Sequence, residues 1–167
     1  MIDTTLRVRK YLILDFAPAQ ILENARSTAI IQNYLMSREP GELFLRWTIP
    51  LEGEDTFYSI SPYRTQPSRR RGDVPHGVIT REQYVELLAT RRDRRLKPIE
   101  RTRYDFDYRG KHYRVHSYHE HLKGLDILEL KHEGELNEKE LPADWQVIEL
   151  GDYSQYTSLA LASRTHW

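Results

Sequence analysis

The sequence contains no cysteine, which excludes disulfides, thiolate-bound zinc and a thiol nucleophile. No stretch approaches the roughly 18 apolar residues of a membrane helix, and the charged N-terminal positions Asp3, Arg7, Arg9 and Lys10 are not followed by the apolar run of a secretion signal. Neither sign of charge is in excess: 25 Lys plus Arg face 25 Asp plus Glu, so no global field recruits nucleic acid or a membrane surface. Methionine is scarce, with two residues against eleven tyrosines. Motifs for phosphate loops (Gly-x-x-x-x-Gly-Lys) and nucleophile elbows (Gly-x-Ser-x-Gly) are missing as well. A cytoplasmic protein, with nucleic acid disfavoured as a partner, is the expectation.

What is present suits one sheet-rich domain spanning 1–167. Hydrophobic residues make up 39% of the chain and charged residues 30%, enough for one core. Alternation and β-forming residues predict strands over Leu6–Leu14, Ser27–Met36, Glu42–Ile49 and Thr56–Ile60. The clearest hairpin joins Ile99–Tyr108 to His112–Tyr118 through Arg109-Gly110-Lys111, and Leu125–His132 reads as a further strand. Helices are expected over Ala17–Ala25, from Thr80, where Gln83 completes a capping-box spacing, and over Tyr153–Ala162. Tyr84, Leu87 and Leu88 form the apolar stripe of the second helix. Residues 61–75 hold three prolines and four arginines and read as a loop. Many strands and no βαβ rhythm give an α+β class, mainly antiparallel, with flanking helices.

Six segments in chain order resemble the CYTH, or triphosphate tunnel, family. They are Lys10-Tyr11-Leu12, Ile31-Gln32-Asn33-Tyr34-Leu35, Leu45-Arg46-Trp47, Ile99-Glu100-Arg101-Thr102-Arg103-Tyr104, Gly124-Leu125 with Glu129, and Gly151-Asp152 with Tyr156 and Leu159-Ala160. The resemblance implies a closed antiparallel β tunnel or barrel. Inside it, acidic residues hold a divalent metal and basic residues hold a triphosphate, for triphosphate hydrolysis or adenylate cyclisation.

The acidic half of that pattern is depleted. Leu6 and Val8 stand where the family's first strand carries two glutamates, His116 stands in place of an aspartate, and Lys131 replaces the partner of Glu129. Before Thr80 only Val74, His76 and Val78 are found where further acids are expected. Mg²⁺ and Mn²⁺ favour carboxylate oxygens, so Glu129 alone is a poor site, and no cofactor is expected. The basic half survives. By alternation Lys10, Arg46, Arg101, Arg103 and Arg114 share the inward face, with Lys131 and His116 as additions. Guanidinium groups match phosphate oxygens in geometry and charge.

The leading expectation is therefore a binder of a nucleotide, triphosphate or polyphosphate-type anion without metal-dependent catalysis. The structural alternative pairs the arginines with Asp105, Glu129 and other carboxylates. Two further readings stay open. One is an interaction domain that kept the fold and lost the ligand. The other is residual hydrolase or cyclase activity with Glu129 as the catalytic acid, Mg²⁺ or Mn²⁺ as cofactor and Asp105 or Glu149 as a second carboxylate. Arg64 and Arg69–Arg71 offer a contact for a protein partner, against the plain reading of a solvated loop. The run Arg91-Arg92-Asp93-Arg94-Arg95 complements a helix C-terminus. The histidines His116, His119 and His121 do not share one strand face and make a poor metal tract.

Overall fold

A computed structural model of the chain describes residues 7–15, 22–53, 55–62, 77–132, 141 and 145–167. Strands β1 (Arg7–Asp15), β2 (Arg26–Tyr34), β3 (Leu43–Pro50), β4 (Phe57–Pro62) and β5 (Gly77–Ile79) precede helix α1 (Arg81–Arg91). Strands β6 (Ile99–Tyr108), β7 (Lys111–Tyr118), β8 (Asp126–His132) and β9 (Gln146–Glu149) follow, and helix α2 (Ser158–Ala162) ends the fold. The strands form one nine-stranded sheet in the order β5-β4-β3-β2-β6-β7-β8-β1-β9. Each neighbouring pair is antiparallel.

The barrel expected from the family resemblance is not formed. The sheet is open, and among the described residues no ladder joins β5 to β9. These edge strands have three and four residues, and among the described residues each pairs on one side only, β5 with β4 and β9 with β1. Closure requires a continuous, staggered ladder around the whole circumference, and such short edges have few backbone groups to offer one. Strands this short also blunt the aggregation hazard of a free edge.

Period-two alternation decides what each face carries. On one face, Tyr113 lies opposite Leu130 and Phe106, and Val115 opposite Leu128 and Tyr104. Tyr11 continues that row from β1. These side chains join Ile13, Ala25 and Trp145 in a buried cluster. The other face carries charge. Asp105 lies opposite Arg114, Arg114 opposite Glu129, and Glu129 opposite Lys10, a row of alternating sign across β6, β7, β8 and β1. Arg103 lies opposite His116 one step along.

Two local features fix the frame. The β6–β7 turn is Arg109-Gly110, both with positive φ (50° and 74°), the two-residue geometry that matches strand twist. Thr80 caps α1: its Oγ1 accepts from the Gln83 amide at 3.2 Å, and the Thr80 amide donates to Gln83 Oε1 at 2.9 Å. This is the capping box expected from the spacing.

Two expected helices remain to be placed. The one over Ala17–Ala25 falls largely outside the described residues. That over Tyr153–Ala162 is split into a 3₁₀ turn at Ser154–Tyr156 and α2. The break lies at Thr157, which is extended (ψ 152°) and caps α2 by accepting from the Ala160 amide at 3.2 Å.

Candidate anion site

The charged face of the sheet lines an inner cavity of about 250 Å³ whose wall includes Lys10, Arg46, Arg101, Arg103, Arg114, His116 and Glu129. Tyr156, Thr157 and Ser158, leading into α2, complete it. An outer lobe of about 730 Å³ adjoins it, sharing Arg46, Arg103 and Arg114. Of the cations predicted to bind an anion, only Lys131 lies outside the inner wall. It shares Glu129's face, but it sits two residues further along β8, opposite Val8. Position along the strand, not facing, removes it.

The cations are held unequally. Arg103 Nε and Arg114 Nε each donate to Asp105 at 2.8 Å, one to each carboxylate oxygen. The pairing alternative to anion binding is thus realised for these two. Lys10 Nζ lies 3.8 Å from Glu129 and 4.8 Å from the centre of the Tyr153 ring. Arg46 donates to Gln32 Oε1 at 3.1 Å, and Arg101 to Ser158 Oγ at 3.3 Å. Among the described residues neither Arg46 nor Arg101 has a carboxylate partner. The Nε atoms of both, and His116 Nδ1, are buried without a hydrogen-bond partner. Buried polar atoms are almost always satisfied, so the three concentrate unmet hydrogen-bonding capacity around one cavity; a fourth such atom, Trp145 Nε1, lies away from it.

Electrostatics follow from this crowding. Burial, with the charges of Arg101 and Arg103 behind it, pushes the Arg46 pKa down to about 10. Burial also lowers Lys10, opposed by Glu129 and assisted by Arg101. His116 is pushed down to about 4 by burial, against the pull of Glu129 and with the push of Arg101 and Arg114, so its imidazole is neutral at pH 7. Burial on its own would raise Glu129; contact with His116, Lys10 and Arg114 overcomes it and brings the carboxyl to about 2.

A pH dependence of stability follows. Between about pH 6.5 and 4 the unfolded chain protonates His116 and the native state does not, so stability falls as pH falls, by about 1 kcal/mol per unit. Glu129 adds a loss below about 4.5, as its carboxyl is protonated down through 2. Urea unfolding of His116→Phe at pH 7, 5.5 and 4.5 should show a flatter profile than the wild type. Identical slopes would mean His116 titrates normally.

The divalent metal that the family resemblance implies does not fit these residues. Glu129 is the one carboxylate in the inner wall among the described residues. Among the described residues no group of three His, Cys, Asp or Glu is arranged to hold a metal ion. Of the alternative carboxylates, Asp105 lies in the outer lobe, bound to two arginines. Glu149 is on β9, paired with Arg9 at 2.6 Å and outside both cavities. His119 bonds Thr102 at 2.8 Å, and His121 approaches the Leu161 carbonyl at 3.4 Å, so neither joins His116. Arg64 and Arg69–Arg71 lie outside the described residues. No helix among the described residues is long and apolar enough to cross a membrane.

The sequence reading missed Gln32, Ser158 and the hydroxyl row Thr28, Thr48, Ser59 and Ser61 of the outer lobe. Alternation from Arg46 along β3 reaches Thr48 and was sufficient to find it; Ser158 comes from a distant segment and left no such signal.

The chain is similar in structure to the inorganic triphosphatase NE1496, with a TM-score of 0.65, 19% identity and coverage of 100% of both chains. The chain has the fold of that triphosphatase. A structure described as the hypothetical protein NE1496 gives 0.64 and 20%, covering 96% of this chain and 99% of that one. No protein-family model and no curated protein matches the chain. The CYTH resemblance therefore holds at the level of fold, with basic residues suited to an anion and, among the described residues, no group arranged to hold a metal ion.

Proposed function

We propose that the chain, acting as one domain, binds a phosphate-rich small anion in the inner cavity without a divalent metal. Inorganic triphosphate and the phosphate chain of a nucleotide are the classes in view. Lys10, Arg46, Arg101, Arg103 and Arg114 are the proposed contacts, with His116 as a neutral neighbour. The observation that carries the reading is that, among the described residues, five cationic side chains and one carboxylate converge on the cavity wall. Two of them, Arg46 and Arg101, lack a carboxylate partner among the described residues. Isolated buried cations are costly, and an anion with several acceptor oxygens relieves that cost with charge-assisted hydrogen bonds. The size of the adjoining lobe favours an extended anion over orthophosphate. The triphosphatase of similar fold makes inorganic triphosphate the first compound to test.

No catalytic step is part of this reading, because the wall supplies too few oxygen donors for a metal-assisted one. Calorimetric titration with triphosphate, ATP and pyrophosphate, in EDTA and in Mg²⁺, should give saturable binding in EDTA. Phosphate-release assays on the same samples should stay at the uncatalysed rate. No heat in either buffer would end the reading.

A further inference from the structure

The unsuitability of the wall for a metal leaves Glu129 without the role that the family resemblance implies for it. We propose that Glu129 is a resident counter-ion: it holds the cations of the inner cavity together in the free protein and competes with the incoming anion, so that its charge weakens binding. This rests on the anion-binding reading above.

Three observations carry it. Among the described residues Glu129 is the single carboxylate of the inner wall, placed by register between Arg114 on β7 and Lys10 on β1. Among the described residues its contacts to charged side chains are long, 3.8 Å to Lys10 Nζ and 3.9 Å to Arg114 Nη1, and the neutral His116 lies at 3.8 Å through Nε2. Asp105, by contrast, takes two guanidinium hydrogen bonds at 2.8 Å. At hydrogen-bond distance a carboxylate locks its partners in one geometry. At nearly 4 Å the Coulomb attraction persists while the directional bond is absent. Glu129 thus neutralises Lys10 and Arg114 without fixing where they point. Thirdly, the carboxylate keeps some solvent access, at 13% side-chain exposure, so an anion entering the cavity meets the same cations from the open side.

An entering phosphate and Glu129 carry the same sign and draw on the same partners. Removing the carboxylate charge frees Lys10 and the Nη1 of Arg114, whose Nε stays with Asp105, for the ligand and deletes a repulsion. A metal ligand or a catalytic acid has the opposite signature, since its removal weakens metal-dependent binding or turnover.

The test is calorimetric titration of inorganic triphosphate in EDTA into wild type, Glu129→Gln and Glu129→Asp, repeated with Mg²⁺. Glu129→Gln should bind roughly tenfold tighter than wild type and melt at a lower temperature without ligand. Glu129→Asp retains the charge and should bind within about twofold of wild type. Glu129→Leu carries the same expectation as Glu129→Gln and serves if that variant does not fold. Weaker or unchanged binding by the neutral variants, alongside wild-type binding, overturns the counter-ion role and leaves the anion site standing. So does equal tightening by Glu129→Asp, or tightening by Mg²⁺ that Glu129→Gln abolishes. If the wild type itself binds nothing, it is the anion-binding reading that has failed.

Discussion

Arg101→Met should make the ligand-free protein more stable while weakening triphosphate binding by about 10- to 100-fold. Arg101 is 9% exposed, and its only described hydrogen-bond partner is the neutral Ser158 Oγ. Its charge acts on four ionisable neighbours in one direction. Besides burial, which comes first for each, the Arg101 cation pushes down the pKa of Lys10, Arg46, Arg103 and His116. Methionine keeps an unbranched stem of similar reach against the Tyr118 ring, over which the guanidinium lies at 5.9 Å, and it removes the charge and the orphaned Nε. Replacing a buried charge by an apolar side chain of similar volume is often stabilising, here by about 1–2 kcal/mol. With ligand the balance reverses, because a cation that is unfavourable in an empty cavity becomes a charge-assisted donor once an anion arrives. Thermal melts with and without triphosphate, together with calorimetry, test both halves. A destabilised variant that binds like wild type would mean Arg101 is a structural residue.

That opposition between stability and binding was partly visible in the sequence, because period two is a local property. Lys10, Arg46, Arg101, Arg103, Arg114, His116 and Glu129 could be assigned to one face by parity within predicted strands, and the cavity gathers them all. The β6–β7 hairpin and the capping box of α1 were legible for the same reason, since each is a pattern over a few adjacent residues. What depends on distant pairing was not. Closure of the sheet hinges on whether β5 and β9 meet, and three- and four-residue strands carry almost no periodic signal. Lys131 has the right parity and the wrong height. Asp105 is expected as a pairing partner for the arginines, but only cross-strand register shows which ones: it lies opposite Arg114 and holds Arg103 and Arg114. Glu149 was a candidate second carboxylate until its pairing with Arg9 on the neighbouring strand took it out of the site.

The wall formed by Tyr156, Thr157 and Ser158 is the part of the site most dependent on tertiary structure, and Leu161→Ala should expose that dependence. Leu161 is fully buried in a cluster with Tyr34, Ile99, Tyr118, Leu122 and Ile127. Truncation to alanine removes this packing and leaves a cavity, at a cost of about 2–5 kcal/mol. A five-residue helix has no stability of its own, so α2 depends on that burial, on its Thr157 cap and on the Lys97 amide, which donates to the Ala162 carbonyl at 2.8 Å. A second anchor is the β2–β3 turn, where Gly41 leaves room for the Leu159 side chain: a Cβ there would lie 2.5 Å from Leu159 Cδ1. Loosening α2 therefore loosens Ser158, the hydrogen-bond partner of Arg101, although Leu161 does not line the cavity. Triphosphate affinity should fall by roughly tenfold, the equivalent of one hydrogen bond's worth of order. Leu35→Ala is the control. Leu35 is equally buried but belongs to the cluster under α1 with Leu45 and Tyr84, so it should lose comparable stability and keep its affinity. Urea unfolding gives the stabilities, and calorimetry at a temperature where both variants are folded gives the affinities. Equal losses of affinity in the two variants would mean that binding tracks global stability and that α2 has no particular hold on the site.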